Sequence, residues 1–92
     1  MTKLLTAKLK IVNRLGLHTR AAAQFVKLSA QFKSDVKLIR GRQTADGKSI
    51  MGILMLAAGM GTNITLEVSG PDQDAAFAAL KKIIEEGFGE KG

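Results

Sequence analysis

Cysteine, tryptophan and tyrosine are absent from this 92-residue sequence, and histidine and proline occur once each. Without cysteine there is neither a disulfide nor a thiolate metal site, a composition compatible with a reducing compartment. A lone histidine cannot build a histidine-rich zinc site, and the few carboxylates show no ligand spacing, so no metal is expected. Long apolar runs are missing too: the longest, Ile50 to Gly61, is interrupted by glycines and too short to span a bilayer. The opening Met1-Thr2-Lys3-Leu4-Leu5 has no signal-peptide core, so neither export nor membrane insertion is expected and the location is read as cytoplasmic. There is no Walker phosphate loop, since Gly59-Met60-Gly61 is too brief, and no cofactor is expected. Residues 1–92 show no linker or repeat and are the length of one domain with one modest core.

Charge is present but unevenly placed. The formal net charge is +6; residues 1–48 carry eleven Lys or Arg against Asp35 and Asp46, whereas residues 49–92 carry three Lys against six carboxylates. Positive potential over the first half favours encounter with an acidic protein surface, a phosphorylated protein or nucleic acid. A small basic RNA-binding module is therefore a competing class. Against it, the four Phe fall at helical core or terminal positions, leaving no stacking platform on the strands.

Periodicity sets the architecture. Leu5, Ala7, Leu9 and Ile11 alternate with Thr6, Lys8 and Lys10, as in a strand with one face on a core. A helix is expected from His18 or Thr19, with Ala21, Phe25, Leu28 and Phe32 on its apolar side. Val36 to Arg40 and Gln43 to Ala45 read as a hairpin turning at Gly41. Ser49 stands as an N-cap before a short helix that Gly59 and Gly61 are expected to end. Ile50, Met51, Ile53, Leu54 and Met55 surround more than one face of it; they are either all core or in part an exposed docking patch. Ile64, Leu66 and Val68 mark a fourth strand. Pro71 is expected to open the last helix, with Asp72 and Asp74 complementing its positive end and Phe77, Leu80, Ile84 and Phe88 forming its stripe. The order βαββαβα with short connections predicts an α+β open-faced sandwich, a four-stranded antiparallel sheet with three helices on one face.

The stretch from Asn13 to Ala23 carries the only histidine, at the point where a loop becomes a helix. The first amides of a helix lack intrahelical partners and concentrate positive partial charge, so a phosphate on His18 would be held there. Arg20 adds a full charge in a geometry suited to phosphate oxygens. Imidazole titrates near neutrality and has two distinct nitrogens, one able to attack phosphorus while the other is held by a hydrogen bond. The competing reading is that His18 merely ends a loop.

Gly16-Leu17-His18-Thr19-Arg20-Ala21-Ala22 resembles the phosphorylation-site motif of the HPr family, the phosphocarriers of the bacterial phosphoenolpyruvate-dependent phosphotransferase system. A second block, Gly47-Lys48-Ser49-Ile50-Met51-Gly52-Ile53-Leu54-Met55-Leu56, resembles the family's regulatory serine and the helix after it, in register with the first. The likeness runs from Lys3 to Gly89 and includes Gly70-Pro71-Asp72. Two departures occur: Ala21 stands where the family usually has proline, and Thr19 where it usually has alanine. The resemblance implies a stoichiometric carrier, not an enzyme: His18 accepts a phosphoryl group from enzyme I, on Nδ1 in the family, and passes it to an enzyme II A domain. Arg20 would stabilise the phosphate. The same likeness makes Ser49 a candidate for a dedicated HPr kinase/phosphorylase beside its capping role. Thr19, Lys27, Lys48, Ile50, Met51 and Leu54 become candidate partner contacts, and the protein is expected to act as a monomer. Ala21 and the Leu54-Met55-Leu56 run keep a nitrogen-related regulatory branch of the same chemistry as an alternative to sugar uptake.

Overall fold

The computed structural model describes residues 3–90. In chain order come β1 (Leu5–Lys10), α1 (Thr19–Ser29), β2 (Asp35–Arg40), β3 (Gln43–Asp46), α2 (Ile50–Met55), β4 (Asn63–Ser69) and α3 (Gln73–Glu85), followed by a 3₁₀ turn at Gly87–Gly89. The strands form one antiparallel sheet ordered β1-β4-β2-β3. α3 lies on β1 and β4, α2 meets β3, and α1 packs against both other helices. The open-faced sandwich expected from the alternation is the fold found.

The two-residue period decides what each side of the sheet does. Ala7, Leu66, Leu38 and Ala45 face one another in a row across all four strands, on the helix side. The neighbouring row, Thr6, Glu67, Lys37 and Asp46, points the other way, so Lys37 stands between two carboxylate residues. Opposite charges so placed contribute about 0.2–1 kcal/mol. Under the helices, Phe25 of α1, Ile53 of α2, and Leu80 and Ile84 of α3 are wholly buried in one cluster with Ile11, Leu38 and Leu66. Truncating the Phe25 ring to alanine would cost about 3–5 kcal/mol, through lost transfer energy and the cavity left behind.

Four boundaries differ from the sequence expectation, and at two of them a group distant in sequence intervenes. α2 ends at Met55, before Gly59 and Gly61, and Ala57 takes the left-handed conformation at φ 50. There the Arg40 guanidinium donates to the carbonyls of Leu56 at 2.8 Å and Ala57 at 3.0 Å, satisfying acceptors that a helix end leaves open. α3 starts at Gln73, with Pro71 ahead of its cap residue Asp72. The Asp72 carboxylate makes no cap bond; it accepts instead from the Lys33 and Ser34 amides, both at 2.9 Å, and from the Ser34 hydroxyl at 2.6 Å. These bonds, the Ser34 hydroxyl foremost, hold its carboxyl below the ordinary aspartate range. Phe88 lies beyond α3 in the 3₁₀ turn, yet its ring is still buried. Phe32 likewise falls past the end of α1 and remains packed on the core.

Candidate functional site

The loop between β1 and α1 is braced from behind. The Leu17 amide donates to the Ala58 carbonyl at 2.9 Å, and Ile11 exchanges backbone bonds with Gly61 and Thr62. Gly16 has φ +68, and a Cβ there would come within 2.5 Å of the Ala58 oxygen and 2.7 Å of the Gly59 Cα. Backbone passes so close that only glycine fits. The loop therefore delivers His18 to a fixed point, where it becomes the N-cap of α1 with extended backbone at φ −79, ψ 177. Its Nδ1 accepts from the Arg20 amide at 3.3 Å, doing with imidazole what a Ser or Asp oxygen does at most helix starts. No acidic residue occupies the first turn of α1, so the helix's positive end is not neutralised from within.

Around the half-buried ring lies an open cleft of about 970 Å³, lined by Arg14, Leu15, Thr19, Arg20, Gln24, Phe88 and Glu90 among others. Two arginines among its lining residues give it positive charge in a geometry suited to phosphate oxygens. His18 Nε2 meets Glu90 Oε2, and Glu90 Oε1 accepts from the Asn13 side-chain amide at 3.0 Å. The Asn13 amide first, then the His18 ring, with the charge of Arg20 adding, hold the Glu90 carboxyl below the usual glutamate range against some desolvation. Chemically, the site offers one nitrogen whose lone pair faces a helix N-terminus and a second nitrogen tied to a carboxylate. Among the described residues no cluster of three metal-ligating side chains occurs, and no helix is long and apolar enough to cross a membrane.

His18, Thr19 and Arg20 are thus brought together, whereas the remaining candidates sit elsewhere. Ser49 caps α2: its backbone is extended and its hydroxyl accepts from the Gly52 amide at 3.1 Å. Of the α2 side chains, Ile53 is core and Leu54 half-buried against it, while Ile50, Met51 and Met55 are 39%, 70% and 72% exposed. Apolar surface beyond the needs of the core is therefore present on a helix packed against α1. Lys27 is exposed near the end of α1, and the Lys48 ammonium donates to the Phe32 carbonyl at 2.8 Å. No strand carries an aromatic residue, which leaves the outer sheet face without the stacking surface an RNA-binding sheet needs.

Sequence reasoning missed Arg14, Asn13 and Glu90 as site residues. Asn13 and Arg14 lie in the motif loop, where Asn13 had only its local turn character as a signal. Glu90 lies 72 residues from His18 and had none.

Residues 5–86 match the family model "PTS HPr component phosphorylation site". The chain is 50% identical over 80 residues to phosphocarrier protein HPr of Cupriavidus necator, covering 87% of this chain and 90% of that one. It is 40% identical to phosphocarrier protein NPr of Shewanella violacea, covering 98% of each. A crystal structure of HPr from Thermoanaerobacter tengcongensis superposes with a TM-score of 0.91 at 35% identity, over 96% of this chain and 99% of that chain.

Proposed function

The chain belongs to the HPr family of phosphocarrier proteins, and from that premise we propose that His18 Nδ1 accepts a phosphoryl group from phospho-enzyme I and hands it to an enzyme II A domain. The observation that carries this reading is the placement of Nδ1 as cap of α1, its lone pair toward the first-turn Arg20 amide, beside the Arg20 and Arg14 side chains. Phosphoryl transfer asks for in-line placement and charge stabilisation more than for covalent machinery, so a small domain suffices when a partner completes the site. Helix amides and the Arg20 guanidinium stabilise the phosphate oxygens, while the nitrogen–phosphorus bond keeps the group transferable. The protein is then a stoichiometric shuttle working as one cytoplasmic domain, and no cofactor enters.

Exposed Ile50 and Met51, with Leu54 at their edge, form the apolar part of the partner surface; Met55 extends it, and Thr19, Lys27 and Lys48 supply its polar margin. Ser49, capping the helix that carries this surface, is the position at which a kinase would add negative charge. A nitrogen-related branch is the second reading, resting on Ala21, the Leu54-Met55-Leu56 run and the 40% identity to an NPr beside 50% and 45% to HPr proteins; comparing enzyme I proteins of the two branches as donors separates them. The deciding experiment incubates the protein with phosphoenolpyruvate and cognate enzyme I. An acid-labile phosphoryl group is expected on wild type and none on His18→Ala, whose circular dichroism should remain that of a folded protein. Undiminished labelling of the variant would overturn the assignment.

A further inference from the structure

The end of the described chain turns back onto the site. Gly87, Phe88 and Gly89 take positive φ in succession, 64, 57 and 74, and the buried Phe88 ring pins this reversal to the core. Glu90 is thereby presented to His18 and held at both oxygens, Oε1 by Asn13 and Oε2 at the imidazole Nε2. Its support is itself fixed: Asn13 is buried and its amide also donates to the Gly16 carbonyl at 2.8 Å. An inverted Asn13 side chain would set its oxygen against two acceptors, so the donor orientation is the one the surroundings allow.

We infer that Glu90, supported by Asn13, is a positioning residue that keeps the imidazole proton on Nε2, leaves the lone pair on Nδ1, and offsets the charge the ring acquires on phosphorylation. The inference rests on the carrier reading for its kinetic part and on geometry alone for its protonation part. A carboxylate can only accept, so the ring nitrogen facing it carries the hydrogen. A backbone amide can only donate, so the nitrogen facing Arg20 N offers its lone pair. In the transfer, that lone pair attacks the phosphorus of the donor's phosphohistidine. The donor's nitrogen–phosphorus bond breaks and its electron pair returns to the donor ring. The Nε2 proton stays in place, so the His18 ring becomes a cation beside the Glu90 carboxylate; onward transfer returns a pair to Nδ1 and discharges the ring. Arg20 and Arg14 line the same cleft, and among the described residues Glu90 is the one carboxylate that does.

The test uses the full chain with ¹⁵N-labelled histidine. In unphosphorylated wild type, NMR should find the neutral ring protonated on Nε2, with that proton slow to exchange; in Glu90→Ala its protection should be lost. Rapid-quench acceptance from phosphorylated enzyme I should slow about tenfold in Glu90→Ala and in Glu90→Gln, which keeps the length but not the charge, with KM for the donor unchanged. A wild-type ring protonated on Nδ1, or a Glu90→Ala protein with undiminished protection and rate, would overturn the role of Glu90. Absence of labelling in wild type would instead overturn the carrier reading, and the NMR result would still decide whether Glu90 positions the ring.

Discussion

Two helices of this protein begin in the same way and end in different chemistry. At α1 and at α2 an extended residue lends a side-chain acceptor to an amide of the first turn, and neither first turn holds an acidic residue. At α2 the acceptor is the Ser49 hydroxyl, and the residues behind it are apolar and partly exposed. At α1 it is an imidazole nitrogen, backed by a carboxylate and flanked by two arginines. Capping alone therefore does not make a site. What distinguishes α1 is that its capping atom belongs to an imidazole whose second nitrogen is tied to a carboxylate, in a cleft that two arginines line.

Exchanging the caps breaks the comparison most sharply. His18→Ser gives α1 the cap of α2, and because serine is a good N-cap the fold should change by less than about 1 kcal/mol. Phosphoryl acceptance should nonetheless fall by about a thousandfold or more, since no nucleophilic nitrogen remains. Thermal melts and rapid-quench labelling of one preparation check both halves. A variant that labels at a tenth of the wild-type rate would show that the imidazole is not the acceptor.

Arg20→Ala removes charge from the first start while leaving its cap, which uses the Arg20 backbone. Transfer should slow about tenfold, corresponding to about 1.4 kcal/mol of lost transition-state stabilisation, with the acceptor still labelled to completion. Equal rates from donor and to acceptor would show the guanidinium to be a bystander. Adding charge to the second start is the smallest perturbation: Ser49→Asp keeps a capping oxygen and suits the helix dipole, so folding should persist. Its negative charge beside Ile50 and Met51 should weaken enzyme I binding about fivefold, roughly 1 kcal/mol. Calorimetric titration giving an unchanged Kd would leave Ser49 with its cap alone.

Local pattern made most of the fold legible. Alternation in β1 and β4 and the spacing of Ala21, Phe25 and Leu28 needed no distant partner to be read, because burial on one face is written every second or every third to fourth residue. His18 was legible for the same reason: its motif and its helix start are contiguous. What stayed hidden is decided by contacts far apart in sequence. Nothing in Met55-Leu56-Ala57 announces that Arg40, from the end of β2, will donate to the carbonyls just past α2, ahead of Gly59. Gly87-Phe88-Gly89 reads as a frayed helix end until its three left-handed residues are seen to aim Glu90 at the imidazole. Asn13 looked like a turn residue; its burial and its bond to Glu90 exist only once the tail has returned.

The sheet order also carries a consequence for when the site comes into being. β1 is made first, yet its only neighbour in the sheet is β4, made last of the strands; Lys10 waits for Asn63 and Leu5 for Val68. Until then the Asn13–Leu17 loop has no wall behind it, because the backbone that Gly16 and Leu17 lean on, Ala58 and Gly59, lies on the approach to β4. Pairings between such remote segments bear the largest loop-closure cost and form late on the way to the native state. In a growing chain the loop therefore lacks its wall until β4 has been made, and the ring is seated only as the sheet closes.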